Sequence, residues 1–129
     1  MHVDASAMVA ILTNEPERND LVSALASAED CTTSIVSSFE AVLALRRKTG
    51  DGDSAVHLFR EFLLRTGIRI ADAGDTLLEG LLECHGRYGK GSGHPARLNM
   101  GDCFSYAMAG QAGVPLLYKG DDFARTDLA

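Results

Sequence analysis

At 129 residues and 46% hydrophobic content, the chain has the size and composition of one soluble domain with a single core. No segment approaches the ~20 apolar residues of a membrane span, and Met1 leads almost at once to Asp4 without room for a signal peptide, so a cytoplasmic protein is expected. The net charge of −6 speaks against a general nucleic-acid binder, but not against a nuclease whose own carboxylates hold cations.

In chain order, His2-Val3-Asp4 reads as a short first strand, followed by a helical stretch ending near Leu12-Thr13. Pro16 suits the first turn of a helix over roughly Glu17 to Ser27. Cys31 to Ser34 reads as a second strand. Ile35 to Lys48 reads as a helix with Val36, Phe39 and Leu43 on its inner stripe and Gly50 as its stop. Ser54 to Arg65 is a further amphipathic helix, with Val56, Phe59 and Leu63 facing inward. Ile68 to Ala71 is a third strand, and Asp75 to Tyr88 a helix carrying Leu77, Leu78, Leu81 and Leu82. A polar, glycine-rich loop spans Gly89 to Pro95, Asp102 to Ala112 is a helix, and Pro115 to Tyr118 a last strand. Short strands alternating with helices predict an α/β domain with a mostly parallel sheet and right-handed crossovers. In such sheets ligands bind beyond the carboxyl ends of the strands.

Several acids fall there. Asp4 ends the first strand, where an N-cap for the next helix would also suit it. Glu40 lies at the margin of its helix's apolar stripe, where a carboxylate needs pairing or coordination; a salt bridge to Arg47 is the plain alternative. Asp102 lies in the first turn of a helix of small and apolar residues, a position the helix dipole also favours. Asp121 and Asp122 follow the last strand in a Gly-Asp sequence that also suits a turn. Together these acids converge on one sheet edge, and clustered carboxylates repel unless a cation joins them. Mg²⁺ and Mn²⁺ prefer carboxylate and water ligands. The scattered cysteines, Cys31, Cys84 and Cys103, and the four histidines show no metal spacing, and the cysteines read as buried free thiols.

HVDASAMVAIL with EPE close behind, SSFEAVLALRRKTG, YGKGSGHPARLNMGDCFSYAMA and PLLYKGDDFARTDLA occur in this order along nearly the whole chain. On these stretches the sequence resembles the PIN-domain ribonucleases, and within them the VapC toxins of bacterial toxin–antitoxin pairs. The resemblance implies a Rossmann-like, three-layer fold and an acidic pocket for Mg²⁺ or Mn²⁺ formed by Asp4, Glu40, Asp102 and Asp122. It gives Ser6 a supporting role, with Asp121 an auxiliary beside the pocket. It further implies metal-assisted hydrolysis of a structured RNA, a VapB-type antitoxin as partner, and a homodimer.

Arg46, Arg47, Lys48, Lys90, Arg97, Lys119 and Arg125 are candidates to hold RNA phosphates, although at least half read equally as solvated surface. Val9, Leu12, Leu21 and Leu25 could receive the antitoxin, but read more readily as core. Two other classes gather acids similarly. A phosphoryl-transfer or receiver-like domain is one, although its phosphatase form wants an acid where Ser6 stands. A non-catalytic metal-binding module is the other.

Overall fold

Short parallel strands cannot be joined by hairpins, so each pairing needs a crossover, and the helices supply it. The computed structural model describes residues 1–129. In it, β1 (His2–Val3), β2 (Thr32–Thr33), β3 (Arg69–Ile70) and β4 (Leu116–Leu117) form one parallel sheet in the order β3-β2-β1-β4. His2 pairs with both Thr32 and Leu116, and Val3 with Leu117. The strands are shorter than the apolar runs suggested, because pairing ends where side chains and helix caps take over the backbone groups.

Six helices surround the sheet: α1 (Ala5–Leu12), α2 (Arg18–Ser27), α3 (Ile35–Thr49), α4 (Gly52–Thr66), α5 (Leu78–Tyr88, preceded by a 3₁₀ turn over Asp75–Leu77) and α6 (Met100–Ala112). None is long and apolar enough to cross a membrane. The larger core lies among α1 to α4 and the sheet, with Val3, Met8, Ile11, Leu45 and Phe59 at its centre. A smaller one joins α5, α6 and the C-terminal segment through Cys84, Tyr88, Leu98, Cys103 and Phe123. All three cysteines are buried free thiols, as expected. Gly50 ends α3 in the left-handed region (φ 71°), where a Cβ would strain the backbone.

The inner face of α3 differs from the expected one. The helix buries Ser37, Ser38, Ala41 and Leu45, while Phe39 is 63% exposed and Val36 and Leu43 are only half-buried. The reason is spatial: α3 packs against α1, α4 and α6, and close approach of three helices favours small residues over aromatic ones. On α4, Phe59 and Leu63 face inward as expected, joined by Ala55 and Phe62, but Val56 is exposed.

Connections run one way from β1 to β2 and β3, and the other way to β4. The neighbours β1 and β4 thus form the switch point of the sheet, and a crevice opens beyond their carboxyl ends. Asp4 leaves β1 at that crevice, and Lys119-Gly120-Asp121-Asp122 follows β4 beside it.

Candidate active site

Asp4 closes β1 in extended backbone and caps α1, so its carboxylate is fixed at the sheet edge. It is buried, and both oxygens are satisfied. Oδ2 accepts from the Ser6 backbone N–H at 3.0 Å and the Ser6 hydroxyl at 2.6 Å, and Oδ1 accepts from the Ser105 hydroxyl at 2.6 Å. Ser105 in turn lies 3.1 Å from the Ser37 hydroxyl of α3. Ser6 accepts from the Lys119 N–H at 3.0 Å, which ties the exit of β4 to the exit of β1. A carboxylate gripped by three donors, two of them short hydroxyl contacts, keeps one orientation.

Asp102 is held by the start of α6. Its Oδ2 accepts from the Asn99 N–H at 3.0 Å, while the Asn99 side-chain oxygen accepts from the Asp102 N–H at 2.8 Å, a reciprocal capping box. Burial pushes its carboxyl up to about 6; Asp4 and Asp122 push the same way, while the Asn99 N–H and the Lys90 ammonium oppose it. Glu40 projects from α3 toward the same edge. Burial, then the negative charges of Asp4 and Asp102, raise its carboxyl above the usual range. No ion pair joins it to Arg47, although both line a cleft of about 310 Å³ with Ser6, Glu15 and Lys119. Asp4, Glu40 and Asp102 are therefore one electrostatic cluster delivered by three elements.

Asp122 and Asp121 sit in the exposed turn after β4. Phe123 behind them is 1% exposed and packs on Tyr118, with ring centroids 5.1 Å apart, which pins the turn to the smaller core. Asp122 acts on the charge of Asp102. The tail beyond is tied by Asp127, which accepts from the Tyr106 hydroxyl at 2.7 Å and the Tyr88 hydroxyl at 3.3 Å.

The acids gather without closing into a finished coordination shell: no three His, Cys, Asp or Glu side chains are arranged to hold a metal ion. Asp4 and Asp102 are turned instead to donors of the chain. The donor set nonetheless suits a hard divalent cation, since it consists of carboxylate oxygens whose mutual repulsion and burial favour a bound positive charge.

Of the cationic candidates, Lys90 lies within electrostatic reach of Asp102, whereas Lys119 is paired with Glu15 and Glu17 and its charge is largely compensated. Leu21 and Leu25 are core, and Val9 and Leu12 pack against it. Ser105 and Ser37 were not legible as site residues. Small residues on a helix read as core filler, and only the fold brings Ser105, 101 positions away in sequence, onto Asp4.

The PIN domain family matches residues 1–128. A VapC ribonuclease of Rhizobium meliloti is 39% identical over 98% of this chain and 97% of its own. Ribonuclease VapC of Mycolicibacterium smegmatis is 38% identical over 100% and 98%, respectively. Among solved structures, the Mycobacterium tuberculosis toxin VapC20, described as cleaving the sarcin–ricin loop, superposes with a TM-score of 0.72 at 23% identity, covering 95% of this chain and 92% of that one; it shares the fold. Matches of this length and identity set aside the receiver-like and non-catalytic alternatives: the chain belongs to the PIN-domain family and, within it, to the VapC ribonucleases, the endoribonuclease toxins of VapBC toxin–antitoxin systems.

Proposed function

We propose that Asp4, Glu40, Asp102 and Asp122 form the catalytic pocket of this ribonuclease and hold Mg²⁺ or Mn²⁺, with Ser6 supporting Asp4 and Asp121 an auxiliary. The observation that carries the reading is the mutual charge coupling of Asp4, Glu40 and Asp102 at the β1–β4 switch point, with Asp122 acting on Asp102. A bound divalent ion would supply a positive centre for phosphate oxygens and lower the pKa of a water. The chain's own part is positioning. Ser6 and Ser105 orient Asp4, the capping box orients Asp102, and the turn locked by Phe123 carries Asp122. Lys90, beside Asp102, is the cation best placed to meet RNA phosphate.

The substrate is a structured RNA, such as a transfer RNA or a ribosomal loop, in the cytoplasm. The partner is a VapB-type antitoxin, and the toxin pairs with a second copy of itself, two-fold dimers being the commonest closed assembly. Apolar surface for such contacts lies not on α2, whose leucines are core, but at Ile35, Phe39 and Val56 and at Leu78, Leu82 and Met100, all exposed.

The test is RNA cleavage by purified, antitoxin-free protein with Mg²⁺ or Mn²⁺ added. Asp4→Asn and Asp102→Asn should each abolish cleavage with the circular dichroism spectrum intact, and Asp122→Asn should do more damage than Asp121→Asn. Full cleavage by Asp102→Asn would refute the pocket; equal losses at 121 and 122 would refute the division between them.

A further inference from the structure

Gly101 is the second residue of α6, immediately before Asp102, and it is buried. Its backbone is not in the left-handed region, so conformational freedom does not explain a glycine there. Helix stability does not explain it either, because alanine is the better helix former. Space does. A Cβ built on Gly101 would lie 2.7 Å from Glu40 Cδ and 2.9 Å from Oε2, and closer still to Oε1. Glu40 belongs to α3, so the contact joins two of the elements that deliver the acidic cluster.

We propose that Gly101 is a positioning residue for Glu40. Its missing side chain is the seat in which the Glu40 carboxylate rests against the first turn of α6, beside Asp102. The seat also faces the positive end of the α6 dipole, which favours a carboxylate there over one swung into solvent. The three nearest atoms to that built Cβ all belong to the end of a flexible glutamate rather than to backbone. Gly101→Ala therefore displaces Glu40 and leaves the fold alone.

This inference rests on Glu40 belonging to the pocket, and the experiment separates the two claims. Purified Gly101→Ala, Glu40→Gln and the double variant are compared with the parent chain in three measurements: Mn²⁺ affinity by calorimetric titration, single-turnover RNA cleavage, and thermal midpoint. Gly101→Ala should weaken Mn²⁺ binding and slow cleavage by roughly 10- to 100-fold, the usual consequence of disturbing a ligand's support. Its midpoint should be unchanged or raised. Adding Gly101→Ala to Glu40→Gln should do no further harm, because the group it displaces has already lost its charge.

Parental Mn²⁺ affinity and cleavage in Gly101→Ala, or losses that multiply in the double variant, would overturn the positioning role while leaving Glu40 in the pocket. A Glu40→Gln chain that binds and cleaves like the parent would remove Glu40 from the pocket and the proposal with it. A lowered midpoint in Gly101→Ala would show that the glycine serves packing, and would overturn the proposal too.

Discussion

Burial lifts the Asp102 carboxyl to about 6 and, together with the charged N-terminus, lowers the His2 imidazole to about 4, so the two residues answer to pH in opposite senses. Asp102 is raised above its unfolded value of 3.8. Its contribution is present below that value and is lost as pH climbs toward 6, where the folded chain must give up a proton it holds better than the unfolded one. His2 is depressed, so its contribution is complete above about 6.5 and is lost as pH falls toward 4. His2 is 1% exposed with its Nε2 unpaired, so the neutral ring is the form the fold accepts. In the metal-free parent the two effects oppose each other over the same window, and Glu40, also raised, adds to the Asp102 side. Asp102→Asn keeps an oxygen for the Asn99 N–H while deleting the titration. Urea unfolding at a series of pH values should therefore show the variant gaining stability between pH 4 and 6.5 more steeply than the parent. At pH 7 it should be the more stable, by at most about 3 kcal/mol. Parallel profiles would mean that Asp102 is not strained by ionisation. Asp4, Glu40, Asp102 and the pair Asp121-Asp122 were legible in the sequence as candidates, because a carboxylate at a strand exit, an apolar helix margin or a helix start stands out; the resemblance singled out Asp122. Ser105, Ser37 and Gly101 were not, since their contacts with Asp4, with each other and with Glu40 exist only where α3 and α6 meet the sheet.

Among the elements, α3 departs most from its sequence pattern. An amphipathic reading by large apolar side chains selects Val36, Phe39 and Leu43, yet the buried face is Ser37, Ser38, Ala41 and Leu45. Periodicity gave the helix and its Gly50 stop correctly, but the phase of its inner face is decided by neighbours. Against α1, α4 and α6 the close approach selects small residues, and the two serines found inside are hydrogen-bonded, Ser38 to the Ser34 carbonyl at 2.8 Å and Ser37 to Ser105. The same phase carries Glu40 within electrostatic reach of Asp4 and Asp102, so position and packing of α3 are one fact. Two substitutions separate the readings. Leu45→Ala opens a cavity at a site 3% exposed and should lower stability by about 2–5 kcal/mol. Phe39→Ser should change it by less than about 0.5 kcal/mol in dilute protein, since it removes only surface area. A loss at Phe39 comparable to that at Leu45 would restore the aromatic to the core and contradict the packing of this helix. If Phe39→Ser changes the oligomeric state at constant stability, the exposed face is a partner surface.

At the scale of the whole molecule, the order of elements and the parallel sheet follow from alternating short strands and helices. The order β3-β2-β1-β4, and with it the switch point, follows from the pairing of His2 with both Thr32 and Leu116, which no local pattern encodes. That pairing brings the β1 exit beside the turn after β4, with α3 and α6 supplying acids from either core. The acidic cluster is thus a property of the folded state alone: an unfolded chain scatters Asp4, Glu40, Asp102 and Asp122 along nearly its full length. A cation bound there must then stabilise the fold by mass action, by about 2.7 kcal/mol at one hundred times its dissociation constant. For a domain of this size the thermal midpoint should rise by roughly 8–15 °C. Mn²⁺ titrated into antitoxin-free protein should produce that rise, chelation should reverse it, and Asp4→Asn should remove most of it without lowering the metal-free midpoint by a similar amount. Asp4 tests the claim best, because Ser6, Ser105 and the cap of α1 hold it whether or not a cation is present. An equal rise in the parent and in Asp4→Asn would place the ion elsewhere on this acidic surface, and would leave the cluster at the switch point without the cation that explains it.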